Sequence, residues 1–205
     1  MGYEVMALNR TLCGEEWMNE YKCDLAQTAE VQSVCESLLG QVDRLDVCVL
    51  NAGVRRLFSF QDMNQGDFVD SVNVNYLSNF MIMKLLLPLY KSSGTYVFVV
   101  GSHAGEMPFE EGGAYCSTKA ALKSLTDVFR LETRSFGIRT TLINSGAINN
   151  RPKGNDAYKI QPESLAEVIF NLSTSKADIM VGELEVRPSR PMRSDHYGMD
   201  KLQYV

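Results

Sequence analysis

Two residue types able to move a proton lie within the stretch GGAYCSTKAALKSLTDV, from Gly112 to Val128: Tyr115 and Lys119, four residues apart. In a helix, residues at this spacing stack on one face. An ammonium beside a phenol favours the phenolate and draws the tyrosine pKa down from about 10 toward neutrality. Such a phenol can give a proton to a carbonyl oxygen or take one from an alcohol. The spacing alone is weak evidence, because Tyr197 and Lys201 repeat it in a polar tail that contains Gly198 and shows no apolar periodicity. The surrounding elements must distinguish the two pairs.

Those elements are legible as short apolar runs alternating with longer segments of helical period. The runs are YEVMAL at 3–8, DVCVL at 46–50, TYVFVV at 95–100, RTTLIN at 139–144 and IMVGELEV at 179–186. Their brevity and β-branched content predict strands buried on both faces. Helices are expected at about 27–40, 65–91, 114–136 and 162–173. Ser92-Ser93-Gly94 and Phe136-Gly137 read as helix ends, and Pro162-Glu163 as a helix start. The alternation predicts an α/β fold, a doubly wound parallel sheet in a single domain over 1–205.

Composition narrows the function classes. The 205-residue chain is 45% hydrophobic with a net charge of −5, and its cations are scattered, which argues against nucleic acid as a partner. Five cysteines without a CxxC pair suggest free thiols in a reducing compartment. No segment reads as a membrane span or signal peptide, so the expectation is a cytoplasmic protein without a membrane partner.

In an open parallel sheet, ligands gather at the carboxyl ends of the strands. Asn51-Ala52-Gly53 follows DVCVL, Gly101-Ser102-His103 follows TYVFVV, and Tyr115 follows Ser102 by thirteen residues. Asn75 lies between them in DSVNVNYLSNF, and Ser145-Gly146-Ala147-Ile148-Asn149-Asn150 follows RTTLIN. Beside Ser102, His103 reads as a solvent-facing residue. The Tyr197–Lys201 pair has Leu184, not serine, thirteen positions before its tyrosine.

In their order and spacing, NAG at 51–53, Val74-Asn75, Ser102 and Y-x-x-x-K at 115–119 resemble the short-chain dehydrogenase/reductase family in its single-domain form. The resemblance implies a Rossmann-like fold and a carbonyl–alcohol oxidoreductase acting on a small substrate. By it, Tyr115 is the general acid or base, Ser102 binds the substrate oxygen, and Lys119 lowers the tyrosine pKa and holds the nicotinamide ribose. Asn75 carries a water on its main chain. It further implies cofactor contacts at Arg10, Asp24, Leu25, Asn51, Ala52, Gly53, Tyr115, Lys119, Gly146, Ile148 and Asn150, with Asp24 and Leu25 at the adenine. No Asp or Glu stands among residues 7–10, while Arg10 can pair with a 2′-phosphate, so NADP(H) is favoured over NAD(H). The stretch from Ala147 to Gln161 is the expected substrate flap, polar enough to suit a small or anionic substrate. Apolar stripes on the second and third helices (Val72, Leu77, Phe80, Leu85; Ala120, Leu122, Leu125, Val128) suggest a homodimer or homotetramer.

The chain departs from the pattern at its start. The family's first strand and T-G-x-x-x-G-x-G turn have no counterpart, and MGYEVMALNR takes the place of the second strand, so the fold is read as N-terminally truncated. The absent strand would lie centrally, between 3–8 and 46–50. Three arrangements answer this: an upstream segment in the natural protein, with Met1 internal; a sheet that closes up, with YEVMAL in the central place; or a neighbouring chain that covers the gap. An alternative function goes with the departure: a non-catalytic relative without dinucleotide binding, serving as a partner-binding or regulatory subunit. Ser145 also stands where the family has proline, and Asn150 where it has threonine.

Overall fold

The computed structural model describes residues 2–150 and 158–190. The central part of the flap and the Tyr197–Lys201 pair lie outside the described residues. The strands are β1 (Val5–Asn9), β2 (Met18–Lys22), β3 (Val47–Leu50), β4 (Tyr96–Val100), β5 (Arg139–Ser145) and β6 (Glu183–Val186). The helices are α1 (Thr28–Gln41), α2 (Gln65–Val72), α3 (Ser78–Leu85), α4 (Leu87–Ser93), α5 (Gly113–Thr133) and α6 (Pro162–Ser173). All pairings between the strands are parallel.

Residue type explains the layering. Every residue of β4, YVFVV, is buried, and so are six of the seven in β5, as expected for strands covered on both faces. One face packs Val97, Val99 and Leu142 against Val31, Cys35 and Leu38 of α1, Ile82 and Met83 of α3, and Leu122 of α5. The other packs Tyr96, Phe98 and Ile143 against Leu165 of α6 and Ile160. Gly94 and Gly137, at φ +63° and +77°, end the helical segments before β4 and β5, and Pro162 opens α6.

The strands fall into two sheets, β1-β2 and β3-β4-β5-β6. The closed-up arrangement is therefore not adopted: β1 pairs with β2, Val5 opposite Met18, and does not join β3. Packing holds it instead, with Met6, Leu8 and Tyr21 resting on the core cluster that contains the α1 residues. The sequence reading omits β2, whose MNEYK is half-exposed and has no apolar run.

The helix expected over 65–91 is interrupted twice. A π turn occupies Asn73–Leu77, where the Ser78 N–H reaches back to the Asn73 carbonyl. Leu86 leaves helical geometry at ψ 3°, just before Pro88. The apolar stripes also serve differently from the expectation. Leu122 is fully buried in the core, and Leu85 and Leu125 pack against it. The large apolar side chains left exposed on these helices are Phe68, Val69, Phe80, Val128 and Leu131.

Candidate active site

Strand ends and one helix face build the site. Gly101 leads out of β4 with its N–H on the Ile143 carbonyl, 2.9 Å away. A Cβ at Gly101 would stand 2.6 Å from Asn144 Oδ1 and 3.0 Å from Leu142 Cδ1, so a larger residue here would have to displace those side chains of β5. Ser102 follows in extended conformation, buried, with its Oγ accepting the Ala104 N–H at 3.2 Å. That bond caps the short 3-10 turn His103–Gly105 and fixes the hydroxyl. Tyr115, in the first turn of α5, is half-buried and hydrogen-bonds Ser102. One turn on, Lys119 is buried, its Nζ 6.0 Å from the Tyr115 ring centroid and donating to the Val100 carbonyl at 2.8 Å.

Asn75 comes from the π turn, a geometry often found at functional sites. Its fully buried side chain clamps the loop after β3: Oδ1 accepts the Val54 N–H at 2.7 Å, and Nδ2 donates to the Val54 carbonyl at 2.9 Å and to Thr118 Oγ1 at 3.1 Å. Its own carbonyl accepts from Asn79 Nδ2 at 3.0 Å. Gly53 is the meeting point, since a Cβ there would lie 3.3 Å from Asn75 Oδ1 and 3.6 Å from Lys119 Nζ. Ser102, Tyr115, Lys119, Asn75 and Gly53 are thus brought together by β3, β4, α5 and the π turn.

The electrostatics differ from the simple expectation for Tyr115. Burial raises its phenol above the ordinary value, with the Ser102 hydrogen bond and the charge of Arg55 acting in the opposite direction. Burial lowers the Lys119 ammonium to about 8, and its proton is committed to a carbonyl. The Ser102 hydrogen bond and the charge of Arg55, a residue absent from the sequence-derived site, both favour the phenolate.

A second correction concerns His103. It is buried rather than solvent-facing, with Nε2 2.9 Å from Glu185 Oε1 and the ring against Arg187. Both partners lie at the end of β6, more than eighty residues away, where no local signal reveals them.

The family model for short chain dehydrogenases matches residues 6–158. The chain belongs to the short-chain dehydrogenase family. Among its relatives, the NADP-dependent 3-hydroxy acid dehydrogenase of Schizosaccharomyces pombe is 29% identical over 192 residues, covering 85% of this chain and 74% of the relative. The sepiapterin reductase of Chlorobaculum tepidum is 24% identical over 172 residues, 81% of this chain and 70% of that one. Among solved structures, the alcohol dehydrogenase of Thermococcus sibiricus, complexed with 5-hydroxy-NADP, superposes with a TM-score of 0.79 at 24% identity, covering 86% of this chain and 77% of that one. Serine dehydrogenase from Escherichia coli gives 0.80 at 21%, over 91% and 87%. These likenesses establish the Rossmann-like α/β fold.

A short-chain dehydrogenase implies a nicotinamide dinucleotide, and the side chains at Gly53 fit its nicotinamide end. The glycine leaves bare backbone beside the Lys119 ammonium, and among the described residues that ammonium bonds only the Val100 carbonyl, leaving donors for ribose hydroxyls. Asn51 and Ala52 are exposed beside it at the end of β3. The remaining expected contacts lie elsewhere. Arg10 is exposed after β1. Asp24 folds back to accept the Ala26 N–H at 3.0 Å, and Leu25 packs on the core. Gly146 donates to the Val186 carbonyl at 2.8 Å, Ile148 bridges to Ile160 and faces the second core cluster, and Asn150 is exposed.

Two residues that sequence spacing passes over hold the loops after β1 and β2. Glu20 of β2 accepts from Asn9 Nδ2 at 2.6 Å and from the Gly14 N–H at 2.7 Å, which commits its carboxylate to the loop after β1. Asn73 ties the loop after β2 to the π turn through the Ala26 carbonyl at 3.3 Å. No helix among the described residues is long and apolar enough to cross a membrane, and the five cysteines are unpaired.

Proposed function

We propose that this short-chain dehydrogenase interconverts a carbonyl and an alcohol on a small substrate, with NADP(H) as its redox partner. The reading rests above all on the convergence of Ser102, Tyr115, Lys119 and Asn75 around Gly53. The dinucleotide, when bound, supplies or accepts the hydride that no side chain can carry. In reduction, the Tyr115 hydroxyl gives its proton to the carbonyl oxygen while Ser102 donates a hydrogen bond to the same oxygen. In oxidation, the phenolate takes the alcohol proton back. A phenol raised by burial is protonated at neutral pH and so is poised as the acid. Lys119 returns the proton, and the Asn75 carbonyl, with one lone pair on Asn79, offers the other to a relaying water.

Arg10, exposed after β1 with no acidic residue among positions 7–10, favours the 2′-phosphate of NADP(H). Unpaired thiols accord with a cytoplasmic location, and exposed Phe68, Val69, Phe80, Val128 and Leu131 with a homodimer or homotetramer. The rival, a regulatory relative without dinucleotide binding, draws on the separation of β1 from β3. Titration with NADPH, followed by nicotinamide fluorescence, separates the two. Saturable binding is expected, and none up to millimolar cofactor refutes the enzyme. Tyr115→Phe is expected to abolish turnover and retain NADPH affinity; full activity in that variant removes Tyr115 from the mechanism.

A further inference from the structure

Arg55 lies two residues beyond Gly53, on the loop that Asn75 clamps through Val54. Its guanidinium stands over the Phe109 ring, 5.7 Å from the centroid. A guanidinium over a ring face is held there by cation–π attraction. Among the described residues, no carboxylate forms an ion pair with Arg55, whereas its neighbour Arg56 is taken by Asp70 at 3.0 Å and Asp67 at 3.7 Å. The loops carrying Arg55 and Phe109 are joined where the Phe58 N–H meets the Glu111 carbonyl at 3.0 Å, directly before Gly112 caps α5. Tyr115 sits in the first turn of that helix, close enough for the charge of Arg55 to act on its phenol. Arg55 is therefore, among the described residues, a guanidinium without an ion-paired carboxylate whose charge reaches the proposed proton donor.

We propose that Arg55 determines substrate specificity by holding the carboxylate of an oxo acid or hydroxy acid whose carbonyl or alcohol carbon is presented to Tyr115 and Ser102. The inference rests on the function proposed above and names its substrate class. Arginine suits the task because its planar fork pairs with both carboxylate oxygens. Phe109, under the guanidinium, stands on the loop before α5, which carries none of the residues assigned to the dinucleotide, whereas Arg55 itself follows Asn51–Gly53, so the test separates a substrate carboxylate from a cofactor phosphate.

The test compares acetoacetate with methyl acetoacetate in NADPH-dependent reduction, two probes that differ in the charge of one end. The wild type is expected to favour the acid in kcat/KM by about 10- to 100-fold, the usual effect of a charge-assisted hydrogen bond. Arg55→Gln is expected to bring the ratio near one, and Arg55→Lys to keep part of it. A parallel arm reads binding without turnover, using saturation-transfer NMR on 3-hydroxybutyrate and its methyl ester. A wild type that does not prefer the acid, or an Arg55→Gln ratio equal to the wild type's, overturns the proposal. So does a tenfold loss of NADPH affinity in Arg55→Gln with the ratio unmoved, which would assign the guanidinium to a cofactor phosphate. If NADPH does not bind, the enzyme reading fails, and the NMR arm still decides whether Arg55 holds a carboxylate.

Discussion

Lys119 is costly to the fold in a way that can be measured. Its ammonium is buried and its pKa is lowered from 10.5 to about 8. A depressed lysine means that the unfolded chain binds this proton more tightly than the native one between those two values, so its destabilising effect is full below pH 8 and vanishes as pH rises toward 10.5. The separation corresponds to about 3 kcal/mol at pH 7 and less than about 1 kcal/mol at pH 10. Lys119→Met keeps the length and removes the charge. It also strands the Val100 carbonyl that Nζ contacts at 2.8 Å, a loss of about 1 kcal/mol. The variant is therefore expected to be more stable than the wild type by about 2 kcal/mol at pH 7 and to lose that advantage by pH 10. Urea unfolding of both proteins between pH 6 and pH 10, in reductant, measures the difference. Buried thiols such as Cys35, pushed up to about 12, destabilise both proteins equally at high pH and cancel in that difference. A difference that does not change with pH would refute the reasoning.

Three further outcomes are expected. Asn75→Ala removes both bonds to Val54 and one to Thr118 and should cost about 2–4 kcal/mol in chemical denaturation; a loss under about 1 kcal/mol would mean that the clamp is not needed. Gly101→Ala drives a Cβ to 2.6 Å from Asn144 Oδ1 and 3.0 Å from Leu142 Cδ1, and should lower stability by about 1–3 kcal/mol. A neutral result in calorimetry would show that the Asn144 and Leu142 side chains give way there. Glu111 holds φ +65°, a conformation that disfavours side chains, so Glu111→Gly should raise the unfolding free energy by about 0.5 kcal/mol, and a fall in stability would contradict that strain.

The central strands were legible in the sequence because burial on both faces writes itself as an unbroken apolar run: YVFVV needs no partner to be recognised. The edge of the fold was not. β2 presents Asn19 and Lys22 outward, and its MNEYK has nothing to set it apart from a loop. Tyr115 and Lys119 were readable from spacing, since a helix of 3.6 residues per turn must bring them together. The state of their protons was not, because desolvation depends on everything packed around them. The break in the 65–91 segment shows the same divide. Pro88 is a local cause of one interruption that the 65–91 reading passed over, whereas the π turn that aims Asn75 at Val54 depends on contacts with α5 and the loop after β3.

The division into two sheets has a kinetic corollary. Among the described strands β1 and β2 pair only with each other, and packing together with the Tyr21–Gln41 hydrogen bond connects them to the rest. Such a pair can open as a local unit while β3 to β6 stay closed, and its amides should exchange with deuterium well before those of β4 and β5. Arg10 and Asp24 ride on the opening unit, whereas Ser102 and Tyr115 stand on the closed one. With the cofactor contacts and proton donor proposed above, grip on the adenosine end and competence for proton transfer would fluctuate on separate timescales, and a dinucleotide spanning both would slow the first without altering the second.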